Sequence, residues 1–336
     1  MVRGKVVFIA FVEPDFRDTF LAECPSNLEV VMALADPNAS EKQIAEAFGS
    51  EPLRDADFLV LFGRWRVPDE AVLRAKHLKL IQTLGQGTDH IPVRLASELG
   101  IPVANSGGSN AISVAEHAVL LMLASLRNLL LSVETLRRGK FTTDVDRRSY
   151  HQLYEKTVGI VGLGTIGRLV AKRVHAFGGK VIFFDKAVIP HSIITDCQAC
   201  PVSLEELLST ADIVTLHVPL LEGTNKMIRW EQLTMMKPSA VLINTSRGAV
   251  VDEAALIRAL REKIIAGAGI DVFDPEPPGR ENPLLRLDNV VATPHIAGVA
   301  LENWMFRVKT CWGNLQRVWE GKEPQNVVNA KITPQS

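Results

Sequence analysis

Val158-Gly159-Ile160-Val161-Gly162-Leu163-Gly164-Thr165-Ile166-Gly167 runs an apolar, β-branched stretch straight into glycines at 162, 164 and 167, and a helical pattern follows. A Gly-x-Gly-x-x-Gly turn between a strand and a helix is the context that dinucleotide binding requires. Gly162 would permit the tight turn, Gly164 would let backbone approach a pyrophosphate, and Gly167 would let the helix pack close to its strand. The helix amino terminus then offers N–H groups and a positive dipole end to phosphate. No Gly-Lys-Ser/Thr follows, so the loop is not a P-loop.

Asp185 closes the next apolar run, Val181–Phe184, at the distance where a carboxylate accepts hydrogen bonds from adenine ribose hydroxyls. A 2′-phosphate there would meet a like charge, so NAD is expected over NADP, a preference tempered by Lys186.

Working outward, short β-branched runs alternate with helical patterns along the chain, which implies βα units and parallel sheets. After Val158–Val161 and Val181–Phe184 come Ile213–Leu216, Val241–Ile243, Gly267–Ile270 and Val290–Ala292. Upstream lie Val6–Ala10, Leu28–Val31, Phe58–Phe62, Leu80–Leu84 and Ile101–Ala104, with helical patterns such as Ser40–Phe48 and Asp69–Ala75 between them. The turn formers Asn105-Ser106-Gly107-Gly108-Ser109 mark a seam, and Ser113-Val114-Ala115-Glu116 reads as a capping box opening a long apolar helix. A last helical pattern, Leu301–Glu320, is expected to return to the first domain. The expected fold is α/β with two doubly wound parallel-sheet domains: residues 1–104 with 296–336, and residues 105–295.

The bulk properties bound the function. At 336 residues the chain suits two domains, and its net charge of -1 gives no basic field for nucleic acid or an anionic membrane. The apolar run Val6–Val12 reads as a buried strand rather than a leader, and Ala118–Leu126 is too short to span a bilayer. A cytoplasmic protein is expected. Cys197-Gln198-Ala199-Cys200 has C-x-x-C spacing, but no second ligand pair is nearby, so two reduced thiols in a loop and no metal are expected.

Three further apolar runs end in polar clusters: Asn244-Thr245-Ser246-Arg247-Gly248, Asp271-Val272-Phe273-Asp274-Pro275-Glu276-Pro277, and Thr293-Pro294-His295-Ile296. In an open parallel sheet, ligands bind beyond the carboxyl ends of the strands, where these clusters would gather. Arg247 can grip a carboxylate through two parallel hydrogen bonds. His295 can give a proton to a carbonyl oxygen as hydride arrives, or take one from a hydroxyl in reverse. It needs a partner to hold its tautomer; Glu276 leads, with Asp271 and Asp274 as competitors. Asp271 could instead meet the nicotinamide carboxamide, and His217-Val218-Pro219 reads either as cofactor-lining backbone or as a turn with a structural histidine.

These segments, together with Gly85-Gln86-Gly87-Thr88-Asp89 and Asn110 to Glu116, closely resemble the D-isomer-specific 2-hydroxyacid dehydrogenase family along nearly the whole chain. The resemblance implies a flavodoxin-like substrate domain and a Rossmann NAD-binding domain. It implies a catalytic set at Arg247, Glu276 and His295, and substrate carboxylate binding by backbone N–H groups of Gln86 and Gly87. It implies NAD contacts at Gly162, Gly164, Thr165, Ile166, Gly167, Asp185, His217, Val218, Pro219, Thr224, Thr245, Ser246, Arg247 and Asp271, and along His295, Ala297 and Gly298. The partners it implies are a small 2-keto or D-2-hydroxy acid and a second copy of the chain, paired through the cofactor domains and the helix near Ser113.

Within the family the chain looks most like phosphoglycerate dehydrogenases, judged on Asn244 to Pro277, although Phe62 stands where those enzymes commonly have arginine. Arg64 and Arg66 are the alternative candidates for a second anionic group, and no regulatory domain is expected after the last helix. Phe141 stands where many glyoxylate and hydroxypyruvate reductases carry tryptophan, which weakens that alternative without removing it. A rival of another class is an NAD(H)-sensing corepressor on the same fold. Formate oxidation is disfavoured, because that chemistry has an amide where this chain has Glu276.

Overall fold

The computed structural model describes residues 3–10, 12–36, 39–63, 65–141 and 147–329. The chain divides into two compact units, residues 1–109 with 300–336, and residues 110–299. The seams expected at 104/105 and 295/296 therefore fall a few residues early. The turn formers at 105–109 stay with the first unit, where Ser106 N–H bonds Gly85 O and Asn105 N–H bonds Asn326 O.

The first unit holds β1 (Gly4–Ala10), β2 (Leu28–Ala35), β3 (Phe58–Phe62), β4 (Leu80–Thr83) and β5 (Val103–Ala104). They form an all-parallel sheet in the order β2-β1-β3-β4-β5, the flavodoxin-like arrangement. The nearly unbroken apolar strands follow from this, since a parallel sheet is covered on both faces. One face packs on Phe48, Leu53, Ala71 and Val72, the other on Phe20 and on Trp304, Val308, Trp312 and Leu315 of the closing helix Leu301–Trp319.

The second unit holds β6 (Thr157–Val161), β7 (Lys180–Phe184), β8 (Ala199–Pro201), β9 (Ile213–Leu216), β10 (Val241–Asn244), β11 (Gly267–Ile270) and β12 (Val290–Ala292). Their order is β12-β11-β10-β9-β6-β7-β8, all parallel, the Rossmann order extended by one strand. The order reverses between β6 and β9, so the crevice belongs at the carboxyl ends of that pair.

Two expectations are corrected here. The sheet has a seventh strand, β8, which passes through Cys200. Three residues ending in proline give no β-period, and only a sheet edge tolerates them. Cys197 therefore closes the helix His191–Asp196 and is buried, while Cys200 lies exposed on the edge strand; both are free thiols. Secondly, Ser113–Glu116 is not a capping box. The helix starts at Ala111, with Asn110 at its cap, so both residues lie inside its first turns. Glu116 instead meets Arg173 at 2.9 Å.

Among the described residues no single helix is long and apolar enough to cross a membrane, and no cluster of His, Cys, Asp and Glu could hold a metal ion.

Candidate active site

The glycine turn after β6 is shaped by missing side chains. Gly162 sits at φ 95°, and a Cβ there would lie 2.7 Å from the carbonyl oxygen of His217, at the end of β9. A Cβ on Gly167 would lie 2.1 Å from Gly162 O, so only glycine lets the helix Thr165–Ala176 start so close to the turn. Gly164 differs: a Cβ there would meet nothing within 4 Å. The open side of Gly164 and a first helical turn with no side-chain cap form an open, uncapped backbone cradle.

Asp185 follows β7 and fastens this turn. Its carboxylate accepts from Leu163 N–H at 2.8 Å and from Ala187 N–H at 2.9 Å. The Lys186 ammonium donates to Gly223 O at 3.0 Å, which holds it on the neighbouring loop.

After β9, the Thr224 hydroxyl donates to Pro219 O at 2.6 Å and accepts from Leu221 N–H at 2.8 Å, closing the loop that begins His217-Val218-Pro219. The His217 ring meets Thr215 Oγ1 at 2.9 Å, and desolvation pushes its pKa down to about 3. His217 is therefore a neutral ring at ordinary pH, and its backbone carbonyl lies against the glycine turn.

Arg247 is carried by a turn that Asn244 builds. The Asn244 amide donates to Arg247 O at 2.9 Å, and its oxygen accepts from Ser246 N–H and Ser246 Oγ. Arg247 is extended and half-buried, and its guanidinium donates to Ser246 O at 2.7 Å. A Cβ on Gly248 would lie 1.9 Å from Phe273 O, so the Arg247 turn abuts the backbone just upstream of Glu276. Thr245 Oγ1, in the same turn as Arg247, is buried, with no hydrogen-bond partner among the described residues. A buried hydroxyl of this kind normally has a partner, and a cofactor hydroxyl or amide would supply one.

Glu276 and His295 meet directly, with His295 Nδ1 2.5 Å from Glu276 Oε1 and both side chains about three-quarters buried or more. Glu253 steadies the Glu276 loop by accepting from Asp274 N–H and from the Asn282 amide. The competition left open by the sequence resolves for Glu276: Asp274 is exposed, and Asp271 faces elsewhere. Asp271 is fully buried and accepts from Thr293 Oγ1 at 2.6 Å and from the N–H groups of Ile296 and Ala297 at 2.9 Å each. It clamps the backbone around His295, which sits at φ 56°, in the left-handed region that non-glycine residues seldom occupy.

On the described geometry, Arg247, Glu276 and His295 come from the adjacent strands β10, β11 and β12, and the glycine turn comes from β6 of the same sheet. Gln86 and Gly87 belong to the first unit, in a turn after β4 fastened by Asn105, whose amide donates to Gln86 O, and by Ser106, which donates to Gly85 O. Arg66, in that unit, is exposed, and Arg64 lies outside the described residues. The sequence left Glu253, the turn-building role of Asn244, and His117 unmarked. His117 bonds Thr293 Oγ1 at 2.9 Å. A histidine on a largely apolar helix was its one signal.

Comparison with known proteins is consistent with this geometry. The model of the D-isomer specific 2-hydroxyacid dehydrogenase, NAD binding domain, matches residues 119–297. D-3-phosphoglycerate dehydrogenase of Methanocaldococcus jannaschii is 40% identical over 85% of this chain, which spans 54% of that protein's length. Glyoxylate reductase of Korarchaeum cryptofilum is 35% identical over 96% of each chain. Among solved structures, the TT0316 protein from Thermus thermophilus superposes with a TM-score of 0.84 at 34% identity, covering 96% of this chain and 99% of that one.

Proposed function

Because the chain belongs to the D-isomer specific 2-hydroxyacid dehydrogenase family, we propose that it interconverts a small 2-keto acid and its D-2-hydroxy acid with NAD. The observation that carries this reading is the Glu276–His295 pair at 2.5 Å, in the loops after β11 and β12, next to the Arg247 turn after β10. NADH, when bound here, would supply the hydride for the keto carbon. Arg247 holds the substrate carboxylate through parallel hydrogen bonds. His295 delivers a proton from Nε2 to the carbonyl oxygen as charge develops there, while Glu276 keeps hold of Nδ1–H. Glu276 thereby fixes the tautomer and opposes the positive charge the ring must carry before it gives up its proton. In oxidation the same ring accepts the proton from the hydroxyl.

The residues fit NAD. The cradle at Gly164 suits the pyrophosphate, and Thr245 Oγ1 would gain a partner. The Asp185 carboxylate retains lone pairs for ribose hydroxyls. A 2′-phosphate about 4 Å from Asp185 would be repelled by roughly 4 kcal/mol at an effective dielectric near 20. Lys186, bonded to Gly223 O, keeps its charge nearby and tempers the resulting preference for NAD.

Two substrate classes stay in play: a phosphorylated keto acid such as phosphohydroxypyruvate, and an unphosphorylated one such as hydroxypyruvate or glyoxylate. Phe62 and the exposed Arg66 favour the second, since neither presents a buried cation to a phosphate. A further part of the proposal is a cytoplasmic homodimer. The helix Leu129–Arg137 buries none of its residues and exposes Leu129, Leu130, Leu131 and Leu136, an apolar face that a second copy would cover.

The test is the loss of NADH absorbance with a broad panel of 2-keto acids. Turnover of at least one, with NADH preferred to NADPH by tenfold or more, is expected. No turnover of any would remove the reading and leave a cofactor-sensing role.

A further inference from the structure

His117 lies on the long apolar helix Ala111–Leu126, half-buried, on the side turned to β11 and β12. Its Nε2 is 2.9 Å from Thr293 Oγ1 and 3.6 Å from Asp271 Oδ1. Thr293 Oγ1 is itself 2.6 Å from Asp271 Oδ1. A carboxylate only accepts, so the single Thr293 hydroxyl proton goes to Asp271. The Thr293 oxygen can then only accept from His117, which obliges Nε2 of that ring to carry a hydrogen. Donor order is thereby fixed along three side chains: His117 to Thr293 to Asp271. The chain ends on the turn of His295, because the Asp271 oxygens also hold the N–H groups of Ile296 and Ala297.

We propose that His117 is a positioning residue for His295, acting through Thr293 and Asp271 to hold the left-handed turn that presents the catalytic ring. The inference rests on the dehydrogenase reading above for its kinetic consequence, but not for its structural one. With the His117 donor gone, the Thr293 hydroxyl is free to rotate toward other acceptors. Asp271 then loses its shortest bond, and the turn between β12 and Ala297 loses the constraint that sets the direction of His295. A purely structural histidine would affect stability and leave the ring of His295 where it is.

Two kinds of readout separate these outcomes. In long-range proton–nitrogen spectra of imidazole-labelled protein, His117 is expected with hydrogen on Nε2. The His295 signals are expected to shift in His117→Leu and to return in His117→Gln, whose amide places an N–H donor near the Nε2 position. A His117 ring with bare Nε2, or His295 signals unmoved in His117→Leu, would overturn the proposal even if no keto acid were ever turned over. In kinetics, His117→Leu is expected to lower kcat at least tenfold with NADH affinity within twofold of native, and His117→Gln to recover most of that loss. Thr293→Val breaks the same chain one link on and guards against a folding defect in the helix. The double variant His117→Leu/Thr293→Val is expected to be no slower than the slower single one. Additive losses, or His117→Gln as slow as His117→Leu, would overturn the proposal. A native protein without activity, combined with the expected spectra, would instead point to failure of the dehydrogenase reading alone.

Discussion

The glycine turn after β6 and the histidine turn after β12 do related work at the carboxyl edge of one sheet, yet they are built on opposite principles. The first is made by subtraction: Gly162 and Gly167 allow backbone to approach where a Cβ would lie 2.7 Å and 2.1 Å from carbonyl oxygens. The second is made by attachment: His295 occupies left-handed backbone despite its side chain, and a buried carboxylate holds the next two N–H groups. A turn made by subtraction is shaped chiefly by its own glycines, with Asp185 only fastening it from outside. A turn made by attachment draws on side chains far away in the chain, and it fails when any of them is removed.

The sharpest way to break the second turn is Asp271→Ala. It leaves Thr293 Oγ1 and the N–H groups of Ile296 and Ala297 without their acceptor. The Ala297 N–H is buried and the other two groups are partly so; at about 1–3 kcal/mol for a buried group left unsatisfied, a loss of about 3 kcal/mol is expected in chemical denaturation, with kcat falling alongside. A variant as stable as native would mean the carboxylate is not what holds the turn.

The first turn is broken at one glycine and probed harmlessly at another. Gly167→Ala forces backbone apart and is expected to cost about 1–3 kcal/mol of stability as well as NADH binding. Gly164→Ala puts a methyl into open space, so its melting temperature should match native while NADH binding weakens. If Gly164→Ala bound NADH normally, the cradle would not be where the phosphates approach.

The smallest effect expected is in the pH dependence of stability. His217 titrates near 3 in the folded protein, well below its ordinary 6.5, because burial disfavours the charged ring. Between those values the unfolded chain binds a proton that the folded chain does not, so stability present above pH 6.5 is lost as pH falls toward 3. The slope should stay below about 1.4 kcal/mol per pH unit, since the residue keeps some solvent contact. Denaturation of His217→Gln across that window should show a flatter profile than native, and an identical profile would contradict the assignment.

The same contrast explains what could be read from the sequence. Strands buried on both faces announce themselves as apolar runs, and the bounds of β3, β9, β11 and β12 coincide with those runs. The Gly162–Gly167 turn was equally plain, because its geometry is encoded in the residues that form it. Strand β8 was not, since an edge strand of three residues carries no periodic signal. The pairing of His295 with Glu276 could be ranked from the sequence but not decided, because Asp271, Asp274 and Glu276 all follow one strand and only folded geometry separates them. His117 gave no sign of its role: it reaches Thr293 across 176 positions, and a histidine on an apolar helix looks the same whether it holds a turn or fills a gap.

The central claim is that His295 moves the proton while the glycine turn binds the cofactor, and single-turnover reduction of a 2-keto acid by His295→Gln tests it most directly. The account predicts a rate lower by about 100- to 10,000-fold with the NADH dissociation constant within about twofold of native. A rate near native, or a loss of NADH binding as large as the loss of rate, would contradict it.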